Sequence, residues 1–236
     1  MSAPQLLTLV MPAFNERATL RTAVERAVKT ELPLPLELVV VDDGSTDGCL
    51  DSIADLVAPG RLRLIRHRRN RGKGAAIRTG IAVAQGDLLG VLDADLEYDP
   101  ADYRRLLDPI LEGEARLVFG TRAFGANTAY SFWYVVGNKF INLWTSFLFD
   151  AWLSDVYTCF KLAPTTLWRA LDLRSNGFGI EAEVTGKFLS RGERIYEVPI
   201  TYRARTRSEG KKIRPADGAR ALWTLLRVRL ANTRRA

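Results

Sequence analysis

Two carboxylates two residues apart, Asp93-Ala94-Asp95, with Glu97 close behind, end the apolar run Leu88–Leu92. At the end of a buried strand such side chains have no hydrophobic cover. Two of them in one turn can face the same hard cation. Mg2+ or Mn2+ takes oxygen ligands and leaves positions open for phosphate oxygens. The chemistry that needs such an ion is departure of a diphosphate, whose negative charge grows as its bond breaks. Without that chemistry, the same residues would cap a turn before a helix starting at Pro100.

Three further clusters are ambiguous singly. In Asp42-Asp43-Gly44-Ser45, the polar side chains could cap the next helix or hydrogen-bond a nucleotide base or ribose. In Asn70-Arg71-Gly72-Lys73-Gly74, glycines before a helix would let backbone N–H groups approach an anion. That loop lacks the G-x-x-x-x-G-K-S/T spacing, and Gly80 comes too late for G-x-G-x-x-G. Arg203, Arg205, Arg207, Lys211 and Lys212 make either an anion clamp or a solvated basic loop.

The elements that must position these clusters alternate. Strands are predicted at Leu6–Met11, Leu36–Val41, Arg61–Arg66, Asp87–Leu92 and Leu117–Gly120. Helices are predicted at Glu16–Thr30, Thr46–Val57 with Ser45 as N-cap, Lys73–Ala84 and Pro100–Leu111. That is the pattern of β-α-β units and a mostly parallel, Rossmann-like sheet, which binds ligands beyond its strands' carboxyl ends. The polar clusters fall there, beginning with Asn15-Glu16 after the first strand. The second half predicts an aromatic helix over Tyr130–Leu153, a strand over Asp155–Leu162, a helix over Gly177–Leu189, a strand over Ile195–Tyr202 and an amphipathic helix over Pro215–Leu230.

Composition narrows the class. With 236 residues, 47% of them hydrophobic and no repeat or linker, the chain reads as one domain over 1–236. Cys49 and Cys159 cannot make a disulfide framework and suit a reduced, cytoplasmic protein. His67 is the only histidine, which excludes a zinc site built on several. The formal charge of +7 fits phosphorylated ligands or an anionic membrane surface. Nucleic acid is not expected, because the basic residues do not interleave with aromatics on one element. No signal peptide is read at the N-terminus, and Asn138, Lys139, Asn142 and Asp150 argue against a membrane span in the most apolar stretch.

Taken together, Val10–Glu16, Val39–Gly48, Asn70–Gly80, Val91–Pro100, Phe119–Arg122, Asp155–Lys161, Gly177–Glu183, Glu197–Ile200 and Tyr202–Ile213 resemble the family 2 glycosyltransferases of GT-A fold. The branch most resembled contains the dolichyl-phosphate and polyprenyl-phosphate sugar synthases. The resemblance implies an α/β GT-A fold, with residues 1–122 binding a nucleotide sugar and 123–236 the acceptor. Pro12, Phe14, Glu16, Asp42, Asp43, Lys73, Asp93, Arg205 and Lys211 would bind the donor, of the UDP-glucose or GDP-mannose class. Asp93, Asp95 and Glu97 would hold Mg2+ or Mn2+, with Glu97 where the lipid-phosphate synthases often carry glutamine. Asp95, Glu181 and Glu183 are the catalytic candidates.

The acceptor side departs from that branch. No Lys or Arg lies between Arg122 and Lys139, where those synthases supply cations for an acceptor phosphate. Phe124, Tyr130, Phe132, Trp133 and Tyr134 stand there instead, and Arg122, Tyr130, Trp133 and Tyr134 are the acceptor candidates. A phosphate attacks as an oxyanion without a base, whereas an alcohol needs a carboxylate to take its proton. Glu181 and Glu183, two residues apart on a helix, cannot point the same way; Glu181 is the preferred base. The expectation is an inverting, metal-dependent transferase moving a hexose, with glucose from UDP-glucose preferred, to a hydroxyl of a soluble, nucleoside-like small molecule. The alternative is transfer to a polyprenyl phosphate, with peripheral membrane contact. A homodimer is left open. A non-catalytic sugar-nucleotide binder or a nucleotidyltransferase is disfavoured, since it would not need both the basic clamp and an acceptor segment.

Overall fold

A computed structural model describes residues 3–58, 60–123, 132–205 and 215–233. Four parallel strands form its first half: β1 (Leu7–Ala13), β2 (Leu36–Asp42), β3 (Leu62–Arg66) and β4 (Leu88–Val91). Helices α1 (Leu20–Lys29) and α2 (Lys73–Val83) fall between them. Then come α3 (Tyr103–Leu111), β5 (Val118–Thr121), α4 (Phe132–Phe149), β6 (Lys161–Pro164), α5 (Thr165–Ala170), α6 (Ile180–Ser190), β7 (Tyr196–Pro199) and α7 (Pro215–Thr233). The sheet order is β3-β2-β1-β4-β6-β5-β7, with β6 antiparallel to β4 and β5. This is the mostly parallel α/β architecture expected.

Strands β1, β2 and β4 carry almost unbroken apolar runs because both faces of the sheet are covered. Helix α2 comes close enough to β1 that a Cβ on Gly80 would lie 2.3 Å from Val10 Cγ1. Gly80, too late for a dinucleotide fingerprint, thus has a packing reason. A smaller apolar cluster joins Ile141 of α4, Ala182 of α6 and Ala221 and Leu225 of α7 with Leu153 and Val156.

Two predicted elements differ. Thr46–Val57 is not an α-helix; 3-10 turns run from Cys49 to Leu56. Asp47 accepts the Cys49 N–H at 3.0 Å and the Ser52 hydroxyl donates to Cys49 O at 2.6 Å, competing locally with helix bonds. Ser45 caps nothing; its Oγ accepts the Asn15 N–H at 2.9 Å. The strand predicted over Asp155–Leu162 is confined to β6, and Asp155–Phe160 is irregular. Side chains take the place of a ladder there: Asn142 accepts the Val156 N–H at 3.0 Å, and Lys161 Nζ donates to Val156 O at 3.1 Å and to Thr158 O. This irregular path carries Tyr157 and Cys159 to the ends of the strands.

Candidate active site

Strand β1 is flanked by β2 on one side and β4 on the other, so the chain's progress across the sheet reverses there. A crevice opens at the carboxyl ends of strands at such a point. A cleft of about 280 Å³ occupies it. Pro12, Phe14, Glu16, Asp43, Lys73, Asp93, Asp95, Glu97, Arg122, Glu181 and Arg205, all singled out from the sequence, line it. Asp42 and Glu183 do not. Tyr130 and Lys211, with Phe124, Arg207 and Lys212, lie outside the described residues, as do the side chains of Trp133 and Tyr134.

Asp42 and Asp43 point oppositely, as neighbours at a strand end must. Asp42 is turned inward: Oδ1 accepts the Ser45 N–H at 2.9 Å and Oδ2 lies 3.2 Å from Arg66 Nε. This corrects its expected place in a donor pocket. Asp43 faces the cleft but binds its neighbours. It accepts the Arg71 N–H at 3.0 Å and the Gly72 N–H at 2.6 Å, and His67 Nδ1 lies 2.7 Å away.

The loop before α2 is not the bare anion cradle expected. The N–H groups of Gly74 and Ala75 donate to Asn176 O at 2.6 and 3.2 Å. Gly72 has φ +96°, and a Cβ there would fall 2.3 Å from that carbonyl. The glycines therefore admit a second backbone segment, and the loop offers its charge through Lys73. Lys73 Nζ lies 2.9 Å from Asp93 Oδ2 and 3.2 Å from Glu181 Oε1.

Three acidic side chains gather opposite. Arg205 lies 3.1 Å from Asp95, 3.4 Å from Glu16 and 3.8 Å from Glu97. Burial, then the charges of Asp93 and Glu97, push the Asp95 carboxyl up to about 7 despite Arg205. Glu97 is committed elsewhere: Oε1 accepts the Arg205 N–H at 2.9 Å, Oε2 accepts the Tyr202 hydroxyl at 2.7 Å, and its carbonyl accepts the Arg203 N–H. It fastens the 202–205 segment across the cleft, which it also lines. Among the described residues, no three His, Cys, Asp or Glu side chains converge as a cage. Asp93 and Asp95 still fit Mg2+ or Mn2+, which bind through one or two carboxylates and complete their shell with substrate phosphate and water. The raised Asp95 carboxyl is that of a site short of positive charge.

Glu181 sits on the first turn of α6 between two lysines. Oε2 is 2.8 Å from Lys161 Nζ and Oε1 is 3.2 Å from Lys73 Nζ. Burial opposes its ionisation, but Lys161 and then Lys73 outweigh it and hold the carboxyl below its ordinary value. Glu183 turns the other way: it accepts the N–H groups of Arg174 and Ser175 and pairs with Lys187 at 2.7 Å. This removes it from the candidate bases. Arg122 makes a bidentate pair with Asp155 at 2.6 and 2.8 Å, and its guanidinium lies 4.9 Å from the centre of the Tyr202 ring.

Sequence reading did not single out Tyr98, Tyr157, Cys159 or Phe178, which also line the cleft, nor Lys161 and Asp155 behind it. Lys161 left a signal, a lone cation inside the apolar run Cys-Phe-Lys-Leu-Ala. The aromatic residues left none, since their spacing is equally that of core.

A switch-point cleft carrying a paired-aspartate turn, on a mostly parallel sheet with an antiparallel β6, defines a glycosyltransferase of GT-A type. The sequence profile described as glycosyl transferase family 2 matches residues 8–162, and the chain belongs to that family. It is 30% identical to the polyprenol monophosphomannose synthase of Mycolicibacterium smegmatis over 93% of this chain and 87% of that one. It is 38% identical to the dodecaprenyl-phosphate galacturonate synthase of Rhizobium johnstonii over 49% of this chain, a match spanning only 36% of that relative. In structure it resembles the glucosyl-3-phosphoglycerate synthase of Mycobacterium tuberculosis, solved with Mn2+, UDP-glucose and phosphoglyceric acid. The TM-score is 0.72 at 20% identity, covering 96% of this chain and 80% of that one. At that identity the likeness speaks for the fold.

Proposed function

We propose that this chain transfers a hexose, with inversion, from a nucleoside-diphosphate sugar to a polyprenyl phosphate presented at a membrane surface. The observation that carries the choice of acceptor is the position of Glu181. The carboxylate best placed to deprotonate an alcohol is held between Lys161 and Lys73, below its ordinary pKa, and so makes a poor base. A phosphate oxyanion needs no base. The relatives whose names specify a polyprenyl-type acceptor support the same reading.

The chain's own residues then divide the work. Lys73 and Arg205, which line the cleft, would meet the donor diphosphate and the charge that grows on it, and would count for most in the transition state. Asp43 would hold the loop that delivers Lys73. Asp93 and Asp95 would hold Mg2+ or Mn2+, which supplies further neutralisation of the leaving group. Arg122 and the aromatic faces of Tyr98, Tyr157 and Phe178 would form the acceptor side, opposite the departing diphosphate.

The test is turnover with a panel of UDP- and GDP-sugars and Mn2+, comparing polyprenyl phosphate in liposomes with soluble alcohols and nucleosides. A hexosyl lipid phosphate is the expected product. Transfer to the soluble hydroxyl acceptors alone would restore the reading favoured by the sequence.

A further inference from the structure

His67 follows β3 and is buried, with 7% of its surface exposed. Its backbone N–H is fixed on Asp42 O at 2.8 Å, and both ring nitrogens are engaged. Nδ1 lies 2.7 Å from Asp43 Oδ1, and Nε2 lies 2.9 Å from the hydroxyl of Thr79 on α2. The carboxylate can only accept, so Nδ1 carries the proton toward it. Asp43 in turn receives the N–H groups of Arg71 and Gly72, the two residues before Lys73. The ring thus braces the turn after β2 against α2, with the loop leading to Lys73 clasped between them.

We infer that His67 is a positioning residue for the donor: it holds the Asp43 carboxylate, and through it the Arg71–Lys73 loop, in the geometry that binds the nucleotide diphosphate. This rests on the reading of the cleft as a nucleotide-sugar site. Any buried imidazole must satisfy both ring nitrogens; what sets this one apart is that one partner is a cleft-lining carboxylate which itself clasps the loop leading to Lys73. The neighbouring Arg68 and Arg69 are exposed, and among the described residues the ring's hydrogen-bond partners are Asp43 and Thr79.

Two amide replacements separate the bonds, because an asparagine amide nitrogen falls near the Nδ1 position and that of glutamine near Nε2. Binding of UDP and GDP, with Mn2+ present, would be measured by calorimetry on wild type, His67→Asn, His67→Gln and Thr79→Val. The expected result is a Kd within about threefold of wild type for His67→Asn and Thr79→Val. His67→Gln should weaken binding by about tenfold, the scale of one lost charge-assisted hydrogen bond. Its donor KM should rise more than its kcat falls, and its Arg71 and Gly72 amides should exchange hydrogen faster than in His67→Asn. Wild-type affinity in His67→Gln, or equal losses in both amide variants, would overturn the inference alone. A wild-type protein that binds neither nucleotide would overturn it together with the reading of the cleft.

Discussion

The Asp95 carboxyl, pushed up to about 7 by burial, Asp93 and Glu97, has a higher pKa folded than its ordinary 3.8 in the unfolded chain. Ionising it therefore costs stability, starting above pH 3.8 and reaching its full extent above pH 7. Asp95→Asn removes that cost along with the proposed metal ligand. In the metal-free protein it should raise stability at pH 8 by on the order of 1–3 kcal/mol, since Arg205 keeps Glu16 and Glu97, and the gain should vanish near pH 4. Mn2+ with UDP should raise the melting temperature of wild type by more than that of the variant, which keeps Lys73, Arg205 and Asp93. Scanning calorimetry across pH would read both effects, and a destabilised variant at pH 8 would contradict the account. The paired aspartates stood out in the sequence as a polar turn ending an apolar strand, although alone that pattern reads equally as a helix cap. That Glu97 fastens Tyr202 and Arg205 was not legible, because those partners lie 105 and 108 residues away.

Helix α6 shows how an element sorts chemically identical residues. Glu181 and Glu183 are two positions apart, so one faces the cleft and the other the 174–175 backbone. The sequence disclosed that they must diverge and favoured Glu181; which partners each meets depended on Lys161 from β6 and on the turn before α6. Burial opposes ionisation of Glu183, but Lys187 and the Ser175 N–H outweigh it and hold the carboxyl below its ordinary 4.5. A depressed folded pKa contributes stability above the unfolded value and loses it as pH falls through the folded one. Glu183→Gln should thus cost about 1–2 kcal/mol at pH 7 and leave kcat within about twofold, with the stability gap closing below pH 4.5. Denaturant melts and turnover would be measured on the same samples, and a large loss of kcat at unchanged stability would return Glu183 to the reaction. The same dependence on distant partners limited the reading of other elements. Strands β1, β2 and β4 were evident from their own apolar runs and β3 from its alternation, whereas Asp155–Phe160 looks like a strand until Asn142 and Lys161 are seen to hold it off the ladder.

Over the whole molecule, the helical layer carries both exposed apolar surface and exposed positive charge. Phe132, Val136, Phe140, Leu143 and Phe147 of α4 are 40–77% exposed and recur every three or four residues, so they form one stripe. The opposite side of α4 packs on α6 and α7 through Ile141 and Trp144. Trp152, Trp223 and Leu230 add exposed apolar surface, and Lys139, Arg220, Arg227 and Arg229 are exposed cations on α4 and α7. No helix among the described residues is long and apolar enough to cross a membrane. Such a surface suits the interface of an anionic bilayer, where apolar side chains insert shallowly and each Lys or Arg adds about 1 kcal/mol. If the acceptor is a polyprenyl phosphate, docking this face should precede transfer. Phe140→Glu with Leu143→Glu should then lower flotation with anionic liposomes at least about tenfold, and transfer to liposomal polyprenyl phosphate in parallel. Nucleotide affinity, read in solution, should stay at wild-type level because neither residue lines the cleft. Raising salt should weaken binding of the wild type, whose net charge is +7. A variant that keeps its liposome binding while changing from dimer to monomer in solution would instead assign the stripe to self-association, and the acceptor would have to reach the cleft without it.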